Sequence, residues 1–120
     1  MSDQKRQRYF NGLLAEMIAA VYLMIKGYKI LKWRYKTPQG EIDLIAYDDD
    51  TLVFAEVKQR ASIEEGLLSI TPQMRARISR AALNFISANK DLAEKPMRFD
   101  FLAVKLPCTV LHLDNAWMGQ

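Results

Sequence analysis

Gly40-Glu41-Ile42-Asp43-Leu44-Ile45-Ala46, followed by Phe54-Ala55-Glu56-Val57-Lys58, decides the architecture of this chain. Both runs are strand-like, and strands alternate faces with period two. Glu56 and Lys58 therefore share one face, as do Glu41 and Asp43. The intervening Asp48-Asp49-Asp50-Thr51 is a turn-type cluster. A symmetric loop centred on Asp49-Asp50 sets Asp43 opposite Glu56 and Glu41 opposite Lys58, with Cβ atoms about 5 Å apart. Two carboxylates that close repel unless a proton or cation sits between them. A divalent metal is the simplest resolution.

The competing reading is a solvated strand face with a Glu41–Lys58 cross-strand pair. Against it stand Ile42, Leu44, Ile45, Leu52, Val53, Phe54 and Val57, which make both runs as apolar as central strands. Charges placed centrally need a reason. The Val57 carbonyl is a further candidate metal ligand. Glu16 lies among Leu13, Leu14, Met17 and Ile18. It either faces solvent from an amphipathic helix or reaches the Asp43/Glu56 site, because an unpaired buried glutamate is costly. Arg34 and Arg60 flank the site and suit phosphate contact. Arg75, Arg77 and Arg80 form either a solvated helix face or a nucleic-acid contact. Asp100 reads as a structural partner of Arg98, with a supporting role at the site as the alternative. Asp48 to Asp50 read as turn residues.

Around this hairpin the pattern predicts a helix over 8–26, on Phe10, Leu13, Leu14, Met17, Ile18, Val21 and Met24. Gly27 fits its C-cap. A strand over 28–35 and a Thr37-to-Gly40 turn lead into the hairpin. Residues 61–69 read as a loop around Gly66. Thr71-Pro72 starts a second helix, to about Ala88, with Met74, Ile78, Ala81, Ala82, Phe85 and Ile86 inward. Strands follow over 97–106 and 109–113, and Trp117 packs back on the body. The expected fold is α/β, a mixed central sheet flanked by helices, in one domain over 1–120. Residues 1–8 read as a flexible basic N-terminus.

With 120 residues, 50% hydrophobic and 26% charged, the chain reads as an ordinary globular domain. A net charge of +3 permits an anionic partner without demanding one. One cysteine excludes an intrachain disulfide, and Cys108, in an apolar run, reads as a small buried hydrophobe. One histidine, His112, excludes multi-histidine sites and zinc sites of the Cys/His type. A metal here must be oxygen-bound, hence Mg²⁺ or Mn²⁺. The apolar segment Leu13 to Ile25 is short for a bilayer and interrupted by Glu16, and no cleavage signal is evident. A cytoplasmic location is expected.

Asp43 followed by Glu56-Val57-Lys58 resembles the PD-(D/E)xK signature of the restriction-endonuclease-like superfamily. The ordered set Glu16, Gly27-Tyr28, Gly40 to Ile45, Phe54 to Arg60, Thr71-Pro72, Arg98-Phe99-Asp100 and Asn115-Ala116-Trp117 is similar to the YraN-like bacterial family, over nearly the whole chain. The resemblance implies an αβββαβ core and Mg²⁺-dependent cleavage of nucleic acid, most akin to Holliday-junction resolvases acting on branched DNA. By it, Glu16, Asp43 and Glu56 are metal ligands and Lys58 is the catalytic lysine. A resolvase cuts two strands symmetrically, which implies a homodimer. The chain departs from the pattern at Met74, where the family carries a lysine; Arg75 or Arg77 offers a replacement charge. Ile42 stands where the signature has proline. A catalytically silent nucleic-acid-binding module and a protein-interaction domain are the competing functions.

Overall fold

The structure, a computed structural model, describes residues 2–117. Its elements run α1 (Asp3–Ile25), β1 (Lys29–Thr37), β2 (Gly40–Asp48), β3 (Thr51–Gln59), α2 (Ile63–Leu68), α3 (Pro72–Ala88), a 3-10 turn (Lys90–Leu92), β4 (Met97–Lys105) and β5 (Thr109–Trp117). The five strands form one mixed sheet in sequence order. Only β3 and β4 are parallel. A parallel pair needs a long crossover, and α2 with α3 supplies it. This mixed, helix-flanked sheet is the expected fold class and is consistent with a restriction-endonuclease-like core.

Both faces of the central strands are covered, which explains their near-continuous apolar sequence. On one face Leu52, Phe54, Phe99 and Phe101 pack against Ile78, Ala81, Ala82 and Phe85 of α3. On the other, Leu44, Ala46, Val53, Ala55, Val57 and Leu102 pack against Ala15, Ala19, Ala20 and Leu23 of α1. Thr71 caps α3 as expected, its side chain accepting from the Met74 amide. Trp117 is buried and stacks on Phe99.

Four expectations are corrected. The helix begins at Asp3 with Ser2 as N-cap, so residues 3–8 belong to α1. Its buried stripe is Ala15, Ala19, Ala20 and Leu23, whereas Phe10, Met17, Val21 and Met24 are exposed. Small residues let the helix axis approach the sheet, so the alanines go inward and the bulky residues outward. At 23 residues α1 is long and apolar enough to cross a bilayer by length and composition alone, but this stripe packs it on the sheet. Residues 63–68 are helical, capped by Ser62. Cys108 is exposed, in the turn between β4 and β5.

Gly66 is what made that short helix hard to read. A Cβ there would run into the ring of Phe101, which is fully buried and has no room to yield. Gly66→Ala in a helix would ordinarily gain about 1 kcal/mol. Here it is expected to lose about 1–3 kcal/mol, with a Tm lower by several degrees in calorimetry.

Candidate functional site

The hairpin register holds as far as the pair Leu44↔Ala55. The next step places Asp43 against Glu56, and there the ladder stops. Instead, Asp43 Oδ2 accepts the Val57 amide at 2.8 Å. The side chain thus satisfies a backbone donor where the strands part. Glu56 is 7% exposed. By alternation it and Lys58 follow Leu52 and Phe54 onto the face covered by α3. Lys58 Nζ lies 3.5 Å from Glu56 Oε2, so the lysine pairs along its own strand with Glu56. Glu41 is exposed at the rim.

Burial pushes the Asp43 carboxyl well above the ordinary aspartate range, and the neighbouring Glu56 charge pushes it further. Burial raises Glu56 as well, opposed by its hydrogen bond with Asp43 and by Lys58. A charge on Glu56 therefore makes it harder for Asp43 to ionise.

Glu16 joins this site from α1. Its carboxyl is raised by burial, with the Trp33 hydrogen bond opposing and the Asp43 charge adding. Glu16 Oε1 accepts Trp33 Nε1 at 2.8 Å and lies 3.6 Å from Arg34 Nε. Two consecutive strand residues ordinarily point to opposite faces. Both reach one carboxylate here because Arg34 sits in the left-handed region, with φ 59°. That conformation costs a non-glycine residue about 1–2 kcal/mol. The pairs Trp33↔Leu44 and Tyr35↔Ile42 flank it, so Arg34 stands across from Asp43. Arg34, Asp43 and Glu56 therefore form a row across three neighbouring strands.

These groups open into a cleft of about 540 Å³. Its floor is Asp43, Glu56, Val57 and Lys58, with Glu41, Gln59 and Arg60 at the edge. One wall is Arg8, Gly12 and Glu16 of α1; the other is Met74, Arg77 and Ile78 of α3. Gly40 sets the second wall: a Cβ there would come within 2.7 Å of the Arg77 carbonyl carbon. Arg77, rather than Arg75, thus brings a positive charge to the cleft beside Met74. Arg75 lies over the Trp117 ring, its guanidinium carbon 6.0 Å from the centroid. Arg34 stands behind the cleft lining, beside Glu16. Sequence reading missed Arg8 and Gly12, although the spacing Arg8–Gly12–Glu16 is the i, i+4 repeat of one helical face.

Asp100 belongs elsewhere. It is fully buried and accepts from Arg98 Nε at 2.9 Å and from the Asn115 amide at 3.0 Å. Its Oδ2 lies 2.8 Å from His112 Nε2. With Lys26 Nζ 3.1 Å from His112 Nδ1, the consistent tautomer has Nε2–H donating to Asp100. Burial alone would raise the Asp100 carboxyl, but the His112, Arg98 and Asn115 hydrogen bonds outweigh it and hold it below the ordinary value. Asp100 is a structural clamp between β4 and β5.

The donor chemistry of the cleft suits a hard cation: the buried Glu56 carboxylate, the half-buried Asp43 carboxylate beside it, and the Val57 carbonyl. Among the described residues, no three His, Cys, Asp or Glu side chains converge to cage an ion. Glu16 is held at the wall by Trp33 and Arg34.

A model of the family described as Uncharacterised protein family UPF0102 matches residues 15–104. The chain is 41% identical over 118 residues to a UPF0102 protein of Bradyrhizobium diazoefficiens, covering 96% of this chain and 89% of that one. It is 43% identical over 108 residues to one from Caulobacter vibrioides, covering 90% and 86%. A third, from Brucella canis, is 43% identical over 104 residues, covering 87% and 82%.

A carboxyl held above its unfolded value of 3.8 favours the fold below that pH and costs stability as pH rises through the folded value. Asp43→Asn keeps an oxygen for the Val57 amide and removes the charge. In metal-free buffer at pH 7 the variant is expected to be more stable than the wild type, with a higher Tm. Melts repeated near pH 4 should show the difference vanish.

Proposed function

The chain belongs to the UPF0102 family, the YraN-like group, and we propose that it is a metal-dependent nuclease that hydrolyses phosphodiester bonds in nucleic acid. The observation that carries this reading is half-buried Asp43 against buried Glu56, with Lys58 beside them, at the floor of a cleft edged by arginines. The pattern resembles that of the PD-(D/E)xK superfamily, and we extend that superfamily's chemistry to this site. Asp43, Glu56 and the Val57 carbonyl would hold Mg²⁺ or Mn²⁺; Glu16 of α1 would join them as a donor only by leaving Trp33 and Arg34. A bound ion would supply Lewis-acid polarisation of the scissile phosphate and acidify a water.

The chain's own residues account for the rest. Lys58, anchored by Glu56, presents an ammonium where charge builds on the phosphoryl oxygens. Arg77 and Arg60 hold the flanking phosphates, which makes binding salt-dependent. Met74 and Ile78 form an apolar wall that limits water at the reacting phosphate. Asp43 accepts from the Val57 amide, and that bond fixes the Glu56–Val57 peptide beside the two carboxylates.

Purified protein should cleave linear, single-stranded, flapped or four-way-junction DNA, or RNA, in Mg²⁺ or Mn²⁺. Asp43→Asn, Glu56→Gln and Lys58→Ala are each expected to lower the rate by about 10²–10³-fold or more. Cleavage indifferent to all three would reject the assignment. Binding without cleavage, at unchanged affinity in the variants, would support the silent-module alternative.

A further inference from the structure

Two aromatic rings stand exposed beside the cleft, uncovered among the described residues. Trp33 is 47% and Tyr9 55% exposed. Neither is loosely placed. The Trp33 indole is tied by its N–H to Glu16 at 2.8 Å, and Tyr9 Oη accepts from Arg34 Nη1 at 3.5 Å. The Arg34 guanidinium also lies 5.8 Å from the Tyr9 ring centroid. Arg34 keeps a left-handed backbone, φ 59°, and that conformation lets Trp33 and Arg34 converge on Glu16. The result is a shelf of aromatic, cation and aromatic joined to the cleft wall by one carboxylate. Next to it the wall is lowered at Gly12, where a Cβ would meet nothing within 4 Å.

From this arrangement we infer that Tyr9 and Trp33 form a stacking platform for unpaired nucleobases flanking the phosphate held in the cleft. The inference rests on the nucleic-acid reading of that cleft and sharpens its substrate class. In a continuous duplex each base face is covered by its neighbours. Only single strands, flaps, gaps or branch points offer a π-face to a side chain, and aromatic shelves beside cationic grooves are how proteins hold such strands. Arg34 lies against the Tyr9 ring and shares Glu16 with Trp33, so its cation adds to the attraction for a stacked base. A protein partner is the less economical occupant, because the shelf shares Glu16 with the phosphate cleft and carries the Arg34 cation beside Tyr9.

Three probes separate the possibilities, in buffer with Ca²⁺ replacing Mg²⁺: a 20-nucleotide mixed-sequence single strand, an abasic strand of equal length, and the blunt duplex (lengths of about 20, spanning several subsites). Trp33 emission is the first readout, over a steady background from buried Trp117. The single strand should quench it; the abasic strand and duplex should not. Tyr9→Ala and Trp33→Leu should each weaken single-strand binding by about 5- to 150-fold, with a clearly smaller loss on the abasic strand. Equal affinity for abasic and ordinary strands, with Trp33 emission unmoved, would overturn the platform while leaving the nuclease reading standing. Cleavage that survives Asp43→Asn, alongside quenching by the single strand, would support the platform and reject the nuclease. No binding to any probe would overturn both. Self-association that shields Trp33 from acrylamide before nucleic acid is added would also overturn the platform.

Discussion

Two carboxyl groups held against each other at the edge of an apolar core, one buried and one half-buried, repel when both ionise unless a positive partner is near, and the site is built around that constraint. Asp43 and Glu56 meet where β2 and β3 stop pairing. The Asp43 carboxylate takes the Val57 amide there, and Lys58 closes on Glu56. An apolar sheet enclosed by α1 and α3 makes the pair costly, and the surrounding fold must stabilise it. A structure whose only task was stability would place hydrophobic residues at both positions. The cost is confined to one end of the sheet, where the cleft opens.

The surroundings extend the same logic. Glu16 is a third acidic group brought close from a different element, and Trp33 with Arg34 holds it. The left-handed Arg34 backbone is a local strain directed at that single carboxylate. Asp100 shows the contrasting case. It is as deeply buried as any side chain in the sheet, yet three hydrogen-bond donors hold it ionised, and it clamps β5 rather than forming a reactive centre.

Much of this was legible from residue pattern. Loop symmetry about Asp49-Asp50 gives the same register as Leu44↔Ala55, and Thr71-Pro72 marks the start of α3. What was not legible has physical causes. Alanine carries little hydropathy, so the Ala15–Ala19–Ala20 stripe was outweighed by the larger residues that α1 leaves exposed. Gly66 reads as a loop locally, but it is required by the distant Phe101 ring. Cys108 sits in an apolar run, yet Pro107 and the short β4–β5 connection put it in a turn. The Arg34 bend depends on a tertiary contact between β1 and α1, which no local spacing encodes. The division of labour between Arg75 and Arg77 likewise depends on where Trp117 and Gly40 lie.

The central claim is that Asp43 and Glu56 are paired for a cation. Calorimetric titration of Mn²⁺ into the wild type and into the Asp43→Asn/Glu56→Gln double variant tests it most directly. The account predicts saturable binding to the wild type, weaker as the pH is lowered and the pair takes up protons, and lost in the double variant. Mn²⁺ binding of equal strength to both proteins, or no binding to the wild type at millimolar concentration with nucleic acid present, would contradict it.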